Sequence, residues 1–246
     1  MKLVVLGSTG YHPNDLRQTA CLALPEVGVV LDAGTGMYRL REYLVTPKLD
    51  IFLSHAHLDH VCGLTFLYDV FADRVRVPTF VHGEADKLAA IRTHLFSPLI
   101  FPVGPPFEFR PLFGPMELTG GGRLTYFPLT HPGGSIGYRL DWPGHSLAYV
   151  TDTIASADAP YLEAIRGVDL LLHECNFPDG HKKMADLTGH SHTTPVAELA
   201  RQANVGRLVL LHLYPLISEH DPIGLDVAQS IFANTEIADD RMEFEF

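Results

Sequence analysis

The chain has little with which to build disulfides: three cysteines, Cys21, Cys62 and Cys175, stand at unrelated spacings with no C-x-x-C among them. An odd, scattered set excludes a disulfide framework and fits a reducing compartment, the cytoplasm. Positive charge is also scarce, since 18 Lys and Arg face 29 Asp and Glu for a formal charge of −11. That disfavours a broad grip on nucleic acid, which needs Lys and Arg to displace counterions. No stretch approaches the roughly 20 continuous apolar residues of a membrane span, so no membrane partner is expected. The opening "MKLVVLGSTG" has a short apolar run and no small-residue cleavage site after it, so no signal peptide is expected and the protein should begin at Met1. Neither a linker nor a short-period repeat interrupts the 246 residues, which read as a single domain, 1–246.

Histidine, by contrast, is abundant. There are 14, and imidazole is the commonest metal ligand in proteins. Around them the pattern alternates strands and helices. "KLVVLG", "TACLAL", "VGVVLDAG" and "DIFLS" are short β-branched or apolar runs closed by Gly, Pro or Ser. "GMYRLREYL", "VCGLTFLYDVF" and "EADKLAAIRTHLF" read as helices, with "PTFVHG" a strand between the last two. A Pro-, Gly- and Phe-rich stretch over residues 97–122 reads as a rim loop with short strands, and Phe101, Phe107 and Phe109 within it, with Phe96 just before it, as walls of a pocket. Then "RLTYFPLTH", "GSIGYRL" and "HSLAYVTDT" form a meander, the last two joined by a tight turn at Asp141-Trp142-Pro143-Gly144. "DAPYLEAIRG", "PVAELARQA" and a closing "DPIGLDVAQSIFA" read as helices, and "VDLLLHE" and "RLVLLHLYP" as buried strands. Two successive sets of strands and helices suggest two sheets packed face to face with helices outside.

The chemistry concentrates in "SHAHLDH", directly after the strand "DIFL". In an extended segment residues i and i+2 point the same way, so His55 and His57 can hold one ion while Asp59 and His60, past the bend, face a neighbouring one. Two adjacent ions need further ligands and a bridging carboxylate. His131, Asp152 and His212 each follow a predicted strand and are candidates. Gly7-Ser8-Thr9-Gly10 does not make a dinucleotide site, because it lacks the full G-x-G-x-x-G and no helix follows. His12, His82, His94, His145, His173, His181 and His220 have no place in a motif and read as surface or structural residues.

"HAHLDH" with His131, Asp152 and His212 resembles the metallo-β-lactamase superfamily. The resemblance implies an α/β (α+β) fold, the αβ/βα four-layer sandwich of two mixed sheets with helices outside. It further implies two divalent metal ions, zinc or else manganese or iron, with His55, His57 and His131 on one, Asp59, His60 and His212 on the other, and Asp152 bridging. "VVLGSTG", "VVLDAGTG", "HLDHVCGL", "GYRL…LAYVTDT", "HECNF" and "HTTPVAELARQANVGRLVLLHLYP" resemble successive motifs of the ribonuclease Z-like branch over most of the chain. In that branch a Glu and a His form a pair beside the metals, here Glu174 and His192, with His190 as the rival histidine. Asp59, Glu174 and His192 are accordingly the expected catalytic residues. Members that process transfer RNA carry a long gripping arm between the third histidine and the bridging aspartate, and only 20 residues separate His131 from Asp152 here. The expectation is a cytoplasmic phosphodiesterase acting on a small phosphodiester such as a cyclic nucleotide, possible as a homodimer. The alternatives are a transfer-RNA 3′-processing endonuclease, a lactonase or thioester hydrolase, and a non-catalytic metal-bound module.

Overall fold

A computed structural model describes residues 1–217 and 220–246. The chain divides into two compact units. The first comprises Met1–Pro13, Arg17–Gly114 and Asp240–Glu245. The second comprises Asn14–Leu16, Pro115–Asp239 and Phe246.

The first unit is built on β1 (Lys2–Gly7), β2 (Cys21–Leu24), β3 (Val29–Leu31), β4 (Leu49–Phe52), β5 (Thr79–Gly83), β6 (Glu108–Pro111) and β14 (Glu243–Glu245), in the order β14-β1-β2-β3-β4-β5-β6. Pairing is antiparallel from β14 to β3 and parallel from β3 to β6. The central strands are largely apolar because both faces are covered, and Val30, Ile51 and Val81 are fully buried. Because β3 and β4 run parallel with Leu31 opposite Phe52, their C-terminal ends, Asp32 and Leu53-Ser54, come side by side. Asp50, buried within β4, is held by the His82 ring at 2.9 Å and the Lys48 ammonium at 2.7 Å. Burial works to raise its carboxyl pKa, and these two partners outweigh that and hold it below the usual range.

Two expected helices take other forms. "GMYRLREYL" becomes a 3-10 helix over Thr35–Glu42 that buries Met37 and Leu40. "VCGLTFLYDVF" breaks into α1 (Leu58–Val61), a 3-10 turn over Cys62–Phe66, and α2 (Leu67–Val70). The cause lies at Gly63, whose N–H donates to the Ala33 carbonyl at 2.8 Å instead of to its own helix. A Cβ there would stand 2.1 Å from the Gly34 carbonyl oxygen, so the close approach requires glycine. α3 (Ala85–Ala90) continues as a wider π turn over Ile91–Leu95.

The second unit carries β7 (Met116–Leu118), β8 (Gly122–Leu129), β9 (Ser135–Trp142), β10 (His145–Val150), β11 (Leu170–Glu174), β12 (Arg207–Leu211) and β13 (Thr235–Ile237). Their order is β13-β12-β11-β10-β9-β8-β7, antiparallel through the meander and parallel from β10 to β13. Trp142 pairs with His145, so Pro143-Gly144 is the whole connection between β9 and β10. Its helices are α4 (Lys182–Thr188), α5 (Thr193–Gln202) and α6 (Leu225–Ile231). The expected helix in "DAPYLEAIRG" is instead a chain of turns. Arg139 donates to the carbonyls of Ala164 and Arg166 at the end of that segment, at 3.0 and 2.9 Å. α4 had no apolar stripe to announce it, since only Ala185 is buried on it.

Ser8, in the glycine-flanked loop after β1, serves the architecture. Its N–H and hydroxyl donate to Asp240 at 3.0 and 2.8 Å, Gln18 N–H adds a 2.7 Å bond, and Arg39 forms an ion pair with the same carboxylate. The Arg39 and Asp240 side chains are only 11% and 6% exposed. Truncating one partner of a buried pair leaves the other charge desolvated, a loss of about 3–5 kcal/mol. Asp240→Ala is therefore expected to lower the unfolding free energy by about that much, read from urea denaturation monitored by circular dichroism.

Candidate metal-binding residues

In the first unit the strand ends set the geometry. Asp32 follows β3 with a left-handed backbone, φ 56°, which costs an L-residue of order 1–3 kcal/mol. Its fully buried carboxylate accepts from Ser54 N–H at 2.7 Å, from Ser54 Oγ at 2.8 Å, and lies 2.8 Å from His60 Nδ1. Ser54 Oγ also sits 3.0 Å from His55 Nδ1. The ring of His55 lies 4.4 Å from those of both His57 and His60. The three histidines expected in this loop are thus gathered with Asp59, whose Oδ2 accepts from Tyr11 N–H at 2.7 Å and lies 3.3 Å from His60 Nε2.

That last distance is informative. A carboxylate only accepts, so His60 Nδ1 carries the proton shared with Asp32, and in the neutral form of the ring, the one a metal requires, the Nε2 lone pair turns toward Asp59. Two acceptors face each other, an arrangement that suits a cation between them, and the carboxylate behind the ring is the usual support of a metal-bound histidine. Asp32 was absent from the expected site residues. Its signal was an acidic residue closing a buried strand before Ala33-Gly34.

In the second unit, β10, β11 and β12 run parallel, so Asp152, Glu174 and His212 emerge at one edge. Asp152 and His212 also have left-handed backbones, φ 49° and 56°. One Asp152 oxygen lies 3.4 Å from His131 Nε2 and the other 3.1 Å from His212 Nε2, so a single carboxylate spans two imidazoles. His131 Nδ1 donates to the Gly189 carbonyl at 3.0 Å, which again leaves its Nε2 lone pair facing a carboxylate. Gly189 caps α4 with φ 77°, and a Cβ on it would stand 2.5 Å from Pro132. Asp152, His190 and His212 each place a donor atom within 4.8 Å of the others. Imidazole and carboxylate donors of this kind fit a divalent ion such as zinc.

Glu174, fully buried at the end of β11, departs from expectation in its partner. It accepts from Thr153 N–H at 2.9 Å and Ser191 N–H at 3.2 Å, and its imidazole partner is His190, 3.1 Å from Nδ1. His192 points elsewhere and pairs with Asp179 at 2.7 Å. Alternation alone would send His190 and His192 the same way; they part because His192 already precedes α5, where Asp179 takes its Nδ1 and also accepts from Thr194 N–H at 3.1 Å. Behind Glu174, His173 is buried and hydrogen-bonded to Tyr161 at 3.0 Å. Burial lowers the His173 pKa and, with the Glu174 charge, raises that of Tyr161. The phenylalanines also divide: Phe96 and Phe107 are buried and pack edge-on at 5.5 Å in the core of the first unit, Phe101 lines a cavity of about 750 Å³ in that unit, and Phe107 borders a smaller one of about 390 Å³.

Comparison with known proteins agrees with this picture. Residues 28–213 match the beta-lactamase superfamily domain. A ribonuclease Z of Salinibacter ruber is 31% identical over an alignment covering 99% of this chain and 94% of that protein, and the 304-residue alignment is longer than this chain, so the relative holds residues this one lacks. A ribonuclease Z of Prochlorococcus marinus is 42% identical over 109 residues, and the match spans 34% of that protein's length. Among solved structures, the metallo-beta-lactamase fold protein YhfI from Bacillus subtilis matches 99% of this chain and 99% of its own with a TM-score of 0.83 at 21% identity. The expected fold class, two mixed sheets with helices outside, is that of these proteins.

Asp32→Asn keeps the shape of the side chain and removes the charge that fixes His60. Loss of such a support typically costs 10–100-fold in metal affinity, and a zinc-chelator competition titration is expected to show a decrease of about that size. Unchanged affinity would separate Asp32 from metal binding.

Proposed function

The chain belongs to the β-lactamase superfamily, and on that footing we propose that it is a metal-dependent hydrolase, a phosphodiesterase acting on a small phosphodiester such as a cyclic nucleotide. The observation that carries the choice of substrate is the segment between His131 and Asp152, filled by the β9–β10 hairpin and its two-residue turn. A transfer-RNA-gripping arm has no place there. His55, His57 and His131 would hold one divalent cation and Asp59, His60 and His212 a second, with Asp152 bridging and the two units acting as one domain. Zinc suits these donors, and manganese or iron are the rivals. Such cations, when bound, lower the pKa of a water toward neutrality and offset charge on phosphoryl oxygens.

The protein's own groups would do the rest. A leaving alkoxide needs a proton, and an imidazole backed by a carboxylate can supply it. His190 takes that role in place of His192, because Glu174 sits behind its Nδ1 at 3.1 Å and leaves Nε2 to carry the proton. Glu174 would hold the ring in orientation and stabilise its protonated form. A cytoplasmic setting fits the unpaired thiols of Cys21, Cys62 and Cys175, and among the described residues no helix is long and apolar enough to cross a membrane. A homodimer belongs to the same proposal. Transfer-RNA 3′ processing is the second reading, favoured by the relatives named ribonuclease Z; it would need a grip supplied by other surfaces.

The test is metal analysis followed by turnover of bis(p-nitrophenyl) phosphate, 2′,3′- and 3′,5′-cyclic nucleotides, a lactone and a precursor transfer RNA, before and after chelation. Phosphodiester turnover abolished by chelator and restored by metal is expected. Lactone turnover alone would overturn the reading, and cleavage of precursor transfer RNA at physiological salt would promote the second. His190→Ala, with metal content confirmed, is expected to lower kcat by about 10²–10⁴, whereas His192→Ala leaves it near the parent value. Equal losses would return the role to His192.

A further inference from the structure

A cavity of about 750 Å³ opens in the first unit, walled by the rings of Tyr38, Phe66, Tyr68 and Phe101. Its size lies within the range of small-molecule sites, about 300–1,000 Å³. The two tyrosine rings are anchored. Tyr68 donates its hydroxyl to the Gly104 carbonyl, and the Arg76 guanidinium lies 5.3 Å over its face. Tyr38 accepts from Arg39 Nε at 3.0 Å, and Arg39 is itself fixed by the Leu6 carbonyl and by Asp240. Phe101 stands 6.3 Å from the Tyr68 ring and is braced by Phe96 at 5.4 Å. Aromatic faces held in place before binding lose little freedom when a ring stacks on them.

The remaining lining is polar but lacks positive charge. Gln18, Thr35 and Thr65 offer an amide and two hydroxyls, and the one charged lining side chain is Asp69. With Asp69 paired to Arg41 at 3.7 Å, such a cavity can hydrogen-bond the edge of a planar heterocycle but places no cation in its lining to hold a phosphate. It also borders the ligand-bearing loop: Thr35 Oγ1 accepts from Thr19 N–H at 2.8 Å, and Thr19 Oγ1 donates to the Asp59 carbonyl at 2.7 Å. Thr65 lies in the 3-10 turn that directly follows His60 and Val61.

We propose that this cavity seats the nucleobase of the substrate, so that the small phosphodiester is a nucleotide whose phosphate stays outside, toward the Asp59–His60 loop. The assignment rests on the phosphodiesterase reading of the metal-binding residues. Base selectivity is modest by this account, because stacking tolerates every base and only the polar edge groups discriminate.

The test is binding of adenosine, with ribose 5-phosphate as the base-free control, by saturation-transfer NMR and calorimetry on the whole chain. Neither measurement needs metal or turnover. Adenosine is expected to bind and ribose 5-phosphate not to compete with it. Tyr68→Ala and Phe101→Ala are expected to weaken adenosine binding about 5- to 150-fold, the usual loss of one stacking partner. Tyr68→Phe, which keeps the ring and guards against a folding artefact, should retain most of it, and for the parent enzyme the same alanine changes should raise KM for 2′,3′-cyclic AMP with kcat nearly kept. Adenosine binding without any phosphodiester turnover would leave the cavity assignment standing and remove the phosphodiesterase reading. Cyclic nucleotide turnover with KM unchanged in Tyr68→Ala and Phe101→Ala would do the reverse. Adenosine binding indifferent to both alanine changes would overturn the cavity assignment.

Discussion

A fully buried carboxylate at the end of a strand is the feature on which each unit's candidate ligands depend. Asp32 does this in the first unit and Glu174 in the second. An ionised carboxylate removed from water is stable only if its lone pairs are occupied, and both are served by the same combination, a backbone N–H from a neighbouring loop and the Nδ1 of an imidazole. Since one group binds both the loop and the ring, neither can shift without leaving charge uncompensated. The orientation of His60 and of His190 is therefore set by the strand ends as much as by the local segments that carry them.

Parallel pairing is what makes this possible. Antiparallel neighbours alternate their ends between the two edges of a sheet, whereas β3 with β4, and β10 with β11 and β12, bring consecutive C-terminal ends to one edge. The chain must then turn sharply to keep a polar side chain at that edge, and Asp32, Asp152 and His212 do so with φ between 49° and 56°. Asparagine and aspartate reach this region with the least penalty among residues that have a Cβ, and histidine is also enriched there. The strain is offset locally: Asp32 by its three hydrogen bonds, and His212 by Asn176, whose amide donates to the His212 carbonyl at 2.9 Å.

Much of this was legible from local pattern. β1, β4, β5, β11 and β12 each centre on a short, mainly apolar run, and a run of that kind can be read without its neighbours. The candidate ligands His55, His57, Asp59 and His60 were visible because they crowd into one short motif. What escaped were features decided at a distance. The helix expected after His60 is broken by Gly63, and the contact responsible is with Gly34, far back in the chain. β13 and β14 are three residues each and carry no apolar run, so only their pairing with β12 and β1 defines them. The choice between His190 and His192 turned on Asp179, which takes His192 Nδ1; composition and spacing offered both histidines equally. Asp32 was readable in principle, as the acidic end of a buried strand, but it stands behind a candidate ligand, His60, and so belongs to no ligand pattern.

The same reasoning separates what the surface decides from what the site decides. At physiological ionic strength charges are screened over about 8 Å, so a mononucleotide at a divalent centre interacts chiefly with the groups beside it, and the formal charge of −11 spread over the chain weighs on it only weakly. A folded RNA is different, because its phosphates lie against protein surface well beyond the reacting bond, and each one not met by Lys or Arg forgoes the counterion release that holds polyanions. Lengthening the substrate thus adds repulsion on this chain where on a basic protein it would add affinity. An anchored aromatic cavity supplies affinity of the opposite kind, short-ranged, uncharged and exhausted by a single base. In the proposed reading, such a cavity and a net charge of −11 both favour a short substrate, the one by supplying contacts for a single base and the other by denying a polyanion its counterion release.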